Sequence, residues 1–191
     1  MLKVGKILLM LFSLISFSCD TENNRQLVFL GDSLVARWDL EVSFPSCVVE
    51  NKGLSGSGID SFSKYKNQYI GTDIVVIIGT NDLGRISNDN IAEYTQNYLE
   101  QIVATGAENI YLFSILPRNF ANDSADINEK IERLNALIKS RSNEYGNVVY
   151  IDAYSSMKKD GNINHQYSYD GLHMNPYGYE ILSQLLISCL K

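Results

Sequence analysis

Two histidines, three cysteines, three prolines and one tryptophan are all that this chain of 191 residues has of those types. Each scarcity closes off a class of protein. His165 and His173, with thiols spread far along the chain, give no metal-ligand spacing, so no metal is expected. The few prolines and the lack of low-complexity tracts leave no long disordered linker. No repeat of solenoid period is visible. Lysines and arginines never cluster, and beyond residue 18 there are 14 basic side chains against 22 acidic ones, a net charge of −8 with histidines neutral. A nucleic-acid partner is therefore not expected, and polyanionic substrates are disfavoured.

Only one long apolar run is present, within residues 7–17, and it is too short to span a membrane comfortably. A basic start containing Lys3 and Lys6 precedes it, and small residues and a polar stretch follow. That order predicts a secretory signal over residues 1–18. The stretch Ile15-Ser16-Phe17-Ser18-Cys19 resembles a lipoprotein signal, with Cys19 as the lipidated N-terminus anchoring a tether, residues 19–25, to a membrane. Ser16 stands where such signals favour leucine. Ser16-Phe17-Ser18 also fits ordinary cleavage and secretion, and an uncleaved anchor is the third reading. All three put the remaining domain, residues 26–191, outside the cytoplasm. There, Cys47 and Cys189 could pair or pack as small hydrophobes. Spacing alone does not choose between them.

Within the domain, five short apolar runs predict strands: Gln26–Leu30, Cys47–Glu50, Asp73–Ile78, Ile110–Ile115 and Asn147–Ile151. The third is continuous and β-branched, as suits a strand buried on both faces. Apolar residues at helical spacing follow, first Ile91, Tyr94, Tyr98 and Ile102, then Ile127, Ile131, Leu134 and Ile138, with Gly146 as a C-cap. A last helix carries Ile181, Leu182, Leu185, Leu186 and Cys189. Alternating strands and helices predict an α/β fold, a parallel sheet covered on both faces. Ligands of such sheets bind at the carboxyl ends of the strands. Those ends carry Gly31-Asp32-Ser33, Asn51-Lys52-Gly53, Gly79-Thr80-Asn81-Asp82 and Leu116-Pro117-Arg118. Asp170-Gly171-Leu172-His173 precedes the last helix.

Taken singly, these stretches are ordinary. A serine after a strand caps helices, and Asn81-Asp82 suits an Asx turn. Together they hold what acyl transfer needs. Ser33 is the candidate nucleophile, His173 its base, and Asp170, three residues earlier, the group that fixes the imidazole tautomer. The backbone N–H groups of Ser33 and Gly53 and the side-chain amide of Asn81 are candidate donors to an oxyanion. Ser55 and Ser57 lack the spacing of a Gly-x-Ser-x-Gly elbow. The glycines around them have neither phosphate-loop nor dinucleotide spacing.

Gly31-Asp32-Ser33-Leu34, Asn51-Lys52-Gly53-Leu54-Ser55-Gly56, Gly79-Thr80-Asn81-Asp82 and Asp170-Gly171-Leu172-His173 resemble, in order, the four blocks of the SGNH/GDSL esterase superfamily. The resemblance runs from Val28 to the C-terminal helix. It implies a three-layer α/β/α sandwich with a flavodoxin-like five-stranded parallel sheet. It also implies Ser33, Asp170 and His173 as catalytic residues, Ser33, Gly53 and Asn81 in the oxyanion hole, and no cofactor. The Leu116-Pro117-Arg118 stretch resembles the acetylhydrolase and carbohydrate acetylesterase branch. Arg118 is either structural or in touch with substrate. Trp38 fits the core or a pocket wall, His165 a solvated loop or the site mouth, and Asp32 and Asp82 bind neighbouring loops. Tyr167, Tyr169, Tyr177 and Tyr179 flank the His173 loop.

The expected activity is hydrolysis of short-chain, acetyl-type esters, with a small molecule or glycan as substrate. Other activities open to the same triad are lysophospholipase, thioesterase and acyltransferase. A non-catalytic carbohydrate-binding role is the rival from another class. Activity through His173 should fall at acid pH as the base takes up a proton. Oligomeric state is not encoded in any of these patterns.

Overall fold

The computed structural model describes residues 26–190. The signal at 1–18, Cys19 and the tether at 19–25 lie outside the described residues. Five parallel strands form one sheet: β1 (Gln26–Gly31), β2 (Val48–Gly53), β3 (Asp73–Ile77), β4 (Ile110–Phe113) and β5 (Val148–Ile151). Their order is β2-β1-β3-β4-β5. That order reverses direction between β1 and β3, and the crevice there, at the carboxyl ends, is where doubly wound sheets bind ligands.

The period-two alternation of strand side chains divides the core between two faces. Val28 and Leu30 of β1, with Ile74, Val76, Ile110 and Leu112, pack under α3 (Ile91–Val103) and α4 (Ile127–Ser142). Leu27 and Phe29, with Val75, Ile77, Tyr111 and Phe113, face the other layer. That layer contains α1 (Ser33–Ala36), α2 (Leu40–Ser43), α5 (Ala153–Met157) and α6 (Pro176–Cys189). The three-layer α/β/α sandwich expected from the sequence is therefore present.

Three details refine it. Gly146 does not cap α4. Asn143 ends the helix, and the chain turns for several residues before β5. Trp38 is core: its ring stacks on Tyr179 at 5.4 Å, packs near Phe29, Phe44 and Phe113, and donates its N–H to Ser43 Oγ at 2.9 Å. Cys47 and Cys189 are half-buried thiols beside the second core layer.

Candidate active site

β1 ends in Gly31 because the chain must fold over its own sheet. A Cβ there would lie 2.6 Å from Val35 Cγ2 and overlap the Ile77 carbonyl. The next residue begins the helix. Asp32 is the N-cap of α1, its Oδ1 accepting the Leu34 N–H at 2.9 Å. Ser33 is thus the first helical residue rather than the cap, 7% exposed, with its hydroxyl left for other work.

That hydroxyl lies 3.1 Å from His173 Nε2. His173 Nδ1 lies 2.7 Å from Asp170 Oδ2. The other carboxylate oxygen, Oδ1, accepts the backbone N–H groups of Leu172 at 3.0 Å and His173 at 2.7 Å. Burial pushes the Asp170 carboxyl up, but the bonds from the His173 ring and these two N–H groups outweigh it and hold it below its ordinary value. An ionised carboxylate only accepts hydrogen bonds. Nδ1 therefore carries the imidazole proton, and the Nε2 lone pair faces the Ser33 hydroxyl.

The base is anchored on several sides. Its carbonyl accepts from the Tyr169 N–H and the Ser168 hydroxyl, each at 2.9 Å. Gly171, at φ +84°, passes its carbonyl to the Asn119 N–H at 2.9 Å. Phe120 presents a ring edge toward His173, with centroids 6.4 Å apart. Tyr179 on α6 donates to the Leu34 carbonyl of α1 at 2.9 Å, tying the helix that follows the base to the nucleophile's helix.

Arg118 turns out to hold this frame together. Its guanidinium grips both oxygens of Asp123 (2.5 and 3.1 Å) and donates to the Thr80 carbonyl at 3.1 Å. It thereby joins the 117–123 loop to the loop carrying Asn81. His165 is exposed, as its solvated-loop reading has it.

The oxyanion donors need one correction. β2 is an edge strand, and the Leu54 N–H points inward to the Gly31 carbonyl at 2.9 Å. Consecutive N–H groups of a strand point to opposite sides, so the Gly53 N–H points off the sheet edge. Asn51 Oδ1 takes it there at 2.9 Å. Gly53 is instead a packing glycine: a Cβ would lie 2.7 Å from Ala36 Cα. Asn51 was overlooked in the sequence, although it opens the same motif. Its amide donates to the carbonyls of Val35 (2.8 Å) and Trp38 (3.2 Å), closing the end of α1.

Three residues past Gly53, Gly56 sits in a turn at φ +80° with open space around it. Among the described residues no hydrogen bond engages its N–H. Asn81 is exposed and donates one amide hydrogen to the Ser57 carbonyl at 2.9 Å, leaving the second available.

Two buried carboxylates stand behind the site. Asp82 accepts from the Ile59 N–H (2.9 Å) and the Tyr94 hydroxyl (2.7 Å), and pairs with Arg85 at 3.0 Å. Asp32 is fully buried, and its Oδ2 has no partner. Burial pushes its carboxyl up to about 7; the Leu34 N–H opposes the rise and the Asp82 charge adds to it. Among the described residues no three His, Cys, Asp or Glu side chains gather as a metal site.

Comparison with known proteins agrees with this architecture. An N-acylneuraminate cytidylyltransferase from Escherichia coli is 28% identical over 177 residues, 86% of this chain. This chain spans only about 40% of that relative's length. A Streptococcus pneumonia structure described in terms of platelet activating factor superposes with a TM-score of 0.73 at 26% identity, covering 91% of this chain and 87% of the other. An acetylxylan esterase from Geobacillus stearothermophilus superposes at 0.62 with 17% identity, covering 86% and 93%. The GDSL-like Lipase/Acylhydrolase family matches residues 29–181. With most of the domain matched, the chain belongs to the GDSL-like lipase/acylhydrolase family.

Proposed function

We propose that the chain is an extracytoplasmic serine esterase removing short acyl groups, acetyl foremost, from carbohydrate. The observation that carries the reading is the relay of Ser33 Oγ, His173 and Asp170, with links of 3.1 and 2.7 Å. Ser33 Oγ attacks the ester carbonyl carbon while His173 Nε2 takes its proton. The oxyanion is met by the Ser33 N–H, the spare Asn81 amide hydrogen and the unengaged Gly56 N–H, which takes the place Gly53 was expected to fill. His173 returns the proton to the departing alcohol, leaving an acyl-enzyme. Water then attacks the acyl carbon with its proton passing to His173; the bond to Ser33 Oγ breaks as His173 returns that proton to the serine oxygen, and the carboxylic acid leaves. No step requires a cofactor.

The carbohydrate assignment draws on two supports. Tyr169 and Tyr177 stand 73% and 69% exposed, one on the loop that carries the base and the other on α6 just after it, and flat aromatic faces stack on sugar rings. Two relatives are themselves named for saccharides, acetylxylan and N-acylneuraminate. The basic and apolar order of residues 1–18, which reads as an export signal with or without lipidation of Cys19, supports the location.

A fluorophosphonate probe should label the wild type but not Ser33→Ala. An ester panel varying acyl length and leaving group, acetylated xylo-oligosaccharides included, should favour acetyl over long acyl chains. A folded wild type that never labels would sink the serine mechanism. Preference for long-chain esters would sink the acetyl assignment.

A further inference from the structure

We propose that Asp32 is a positioning residue that must be a neutral acid for turnover, so that its ionisation imposes an alkaline limit on activity. The proposal rests on Ser33 being the nucleophile. Asp32 has a single hydrogen-bond partner, the Leu34 N–H on Oδ1, one residue beyond Ser33. Its Oδ2 is the one buried side-chain polar atom among the described residues without a partner. An ionised carboxylate so placed is costly, because a lone buried charge has neither water nor a counter-ion.

The groups around it offer no relief. Asp82, from the Thr80–Arg85 turn, is a like charge, and its own oxygens are occupied by Ile59, Tyr94 and Arg85. Arg85, the cation beside Asp82, is held by Asp82 and Asp60. Tyr98 of α3 and Tyr179 of α6 lie within electrostatic reach of Asp32, but their hydroxyls donate to the Ile78 and Leu34 carbonyls. Neither phenol proton is left for Oδ2. The carboxyl is accordingly pushed up to about 7, first by burial and then by Asp82.

Ionisation therefore falls near neutral pH. It places a fixed negative charge one residue from Ser33, whose N–H is to meet the oxyanion that the reaction develops on the substrate. Donors at this turn stabilise an oxyanion because the site is preorganised for negative charge, and a buried anion beside them works against it. At the effective dielectric of a protein interior, such a charge slows the step by about tenfold or more.

The test is the pH profile of kcat/KM for 4-nitrophenyl acetate in the wild type and in Asp32→Asn, whose amide oxygen can still cap Leu34. The wild type should fall about tenfold between about pH 7 and pH 9, while the variant changes less than about twofold. Equal alkaline falls in both, or a flat wild type, would overturn the proposal. Titration of wild-type protein carrying 13C at aspartate Cγ gives a check independent of the variant's folding. One carboxyl should titrate near neutrality, and titration of all of them below about pH 5 would refute the idea. Fluorophosphonate labelling separates the two readings. A wild type that labels but shows coincident profiles rejects Asp32 alone, and one that does not label rejects the nucleophile and this proposal with it.

Discussion

Replacing Gly171 by alanine should damage catalysis far more than folding. The backbone there sits at φ +84°, which costs an L-residue about 1–2 kcal/mol. The new Cβ would overlap the Asn119 carbonyl and lie 3.0 Å from Phe120 N, so one loop must retreat. Retreat breaks the 2.9 Å bond between the Asn119 N–H and the Gly171 carbonyl, worth about 1 kcal/mol. The expected destabilisation is about 3 kcal/mol. Because Gly171 stands between Asp170 and His173, the same retreat pulls the base away from Ser33. Misplacement by about 1 Å costs about a hundredfold in turnover.

Gly161 is a matched control. It has the same φ of +84° in the turn of the small hairpin formed by Lys158–Lys159 and Asn162–Ile163, but nothing lies within 4 Å of a Cβ there. Gly161→Ala should lose about 1 kcal/mol and no activity. Chemical denaturation and ester hydrolysis of both variants at one pH decide the matter. Equal activity losses in the two, or full activity in Gly171→Ala, would refute the reasoning.

Three further outcomes follow from the geometry. Asp170→Asn should fold normally yet lose about a thousandfold or more in kcat, because an amide no longer selects the productive imidazole tautomer; circular dichroism and steady-state kinetics check both halves. The Asp32 carboxyl is raised from 3.8 in the open chain to about 7 in the fold, so its contribution to stability is complete below about pH 4 and is lost as pH rises to about 7. Asp32→Asn escapes that loss, and its stability relative to wild type should climb by on the order of 4 kcal/mol across that window in denaturant titrations. Arg118→Ala should lower thermal stability and kcat while leaving KM nearly unchanged, since its guanidinium is held by Asp123 and Thr80; a rise in KM with kcat intact would show instead that Arg118 touches substrate.

The strands were legible in the sequence because burial on both faces writes a continuous apolar signal, as in β3. The relay was legible for a related reason. A doubly wound sheet brings all its carboxyl ends to one edge, so Ser33 and His173 could be placed together although they lie 140 positions apart. Gly53 shows where such reading stops. Whether its N–H points toward the cleft or away depends on strand parity and on β2 being an edge, and neither is set by residue type. The role of Arg118 likewise depended on Asp123, whose approach across the loop leaves no local periodicity. Asp32 was recognised as binding its neighbours, but its orphaned oxygen is a property of packing alone.

The bond from Tyr179 to the Leu34 carbonyl joins positions 145 apart, near the two ends of the domain. A polypeptide still being made, or one cut short before His173, carries the nucleophile but neither its base nor the brace that aligns them. Hydrolysis can begin only when the last element has docked on the first. Turnover therefore reports complete folding, and truncated or half-emerged chains are chemically silent.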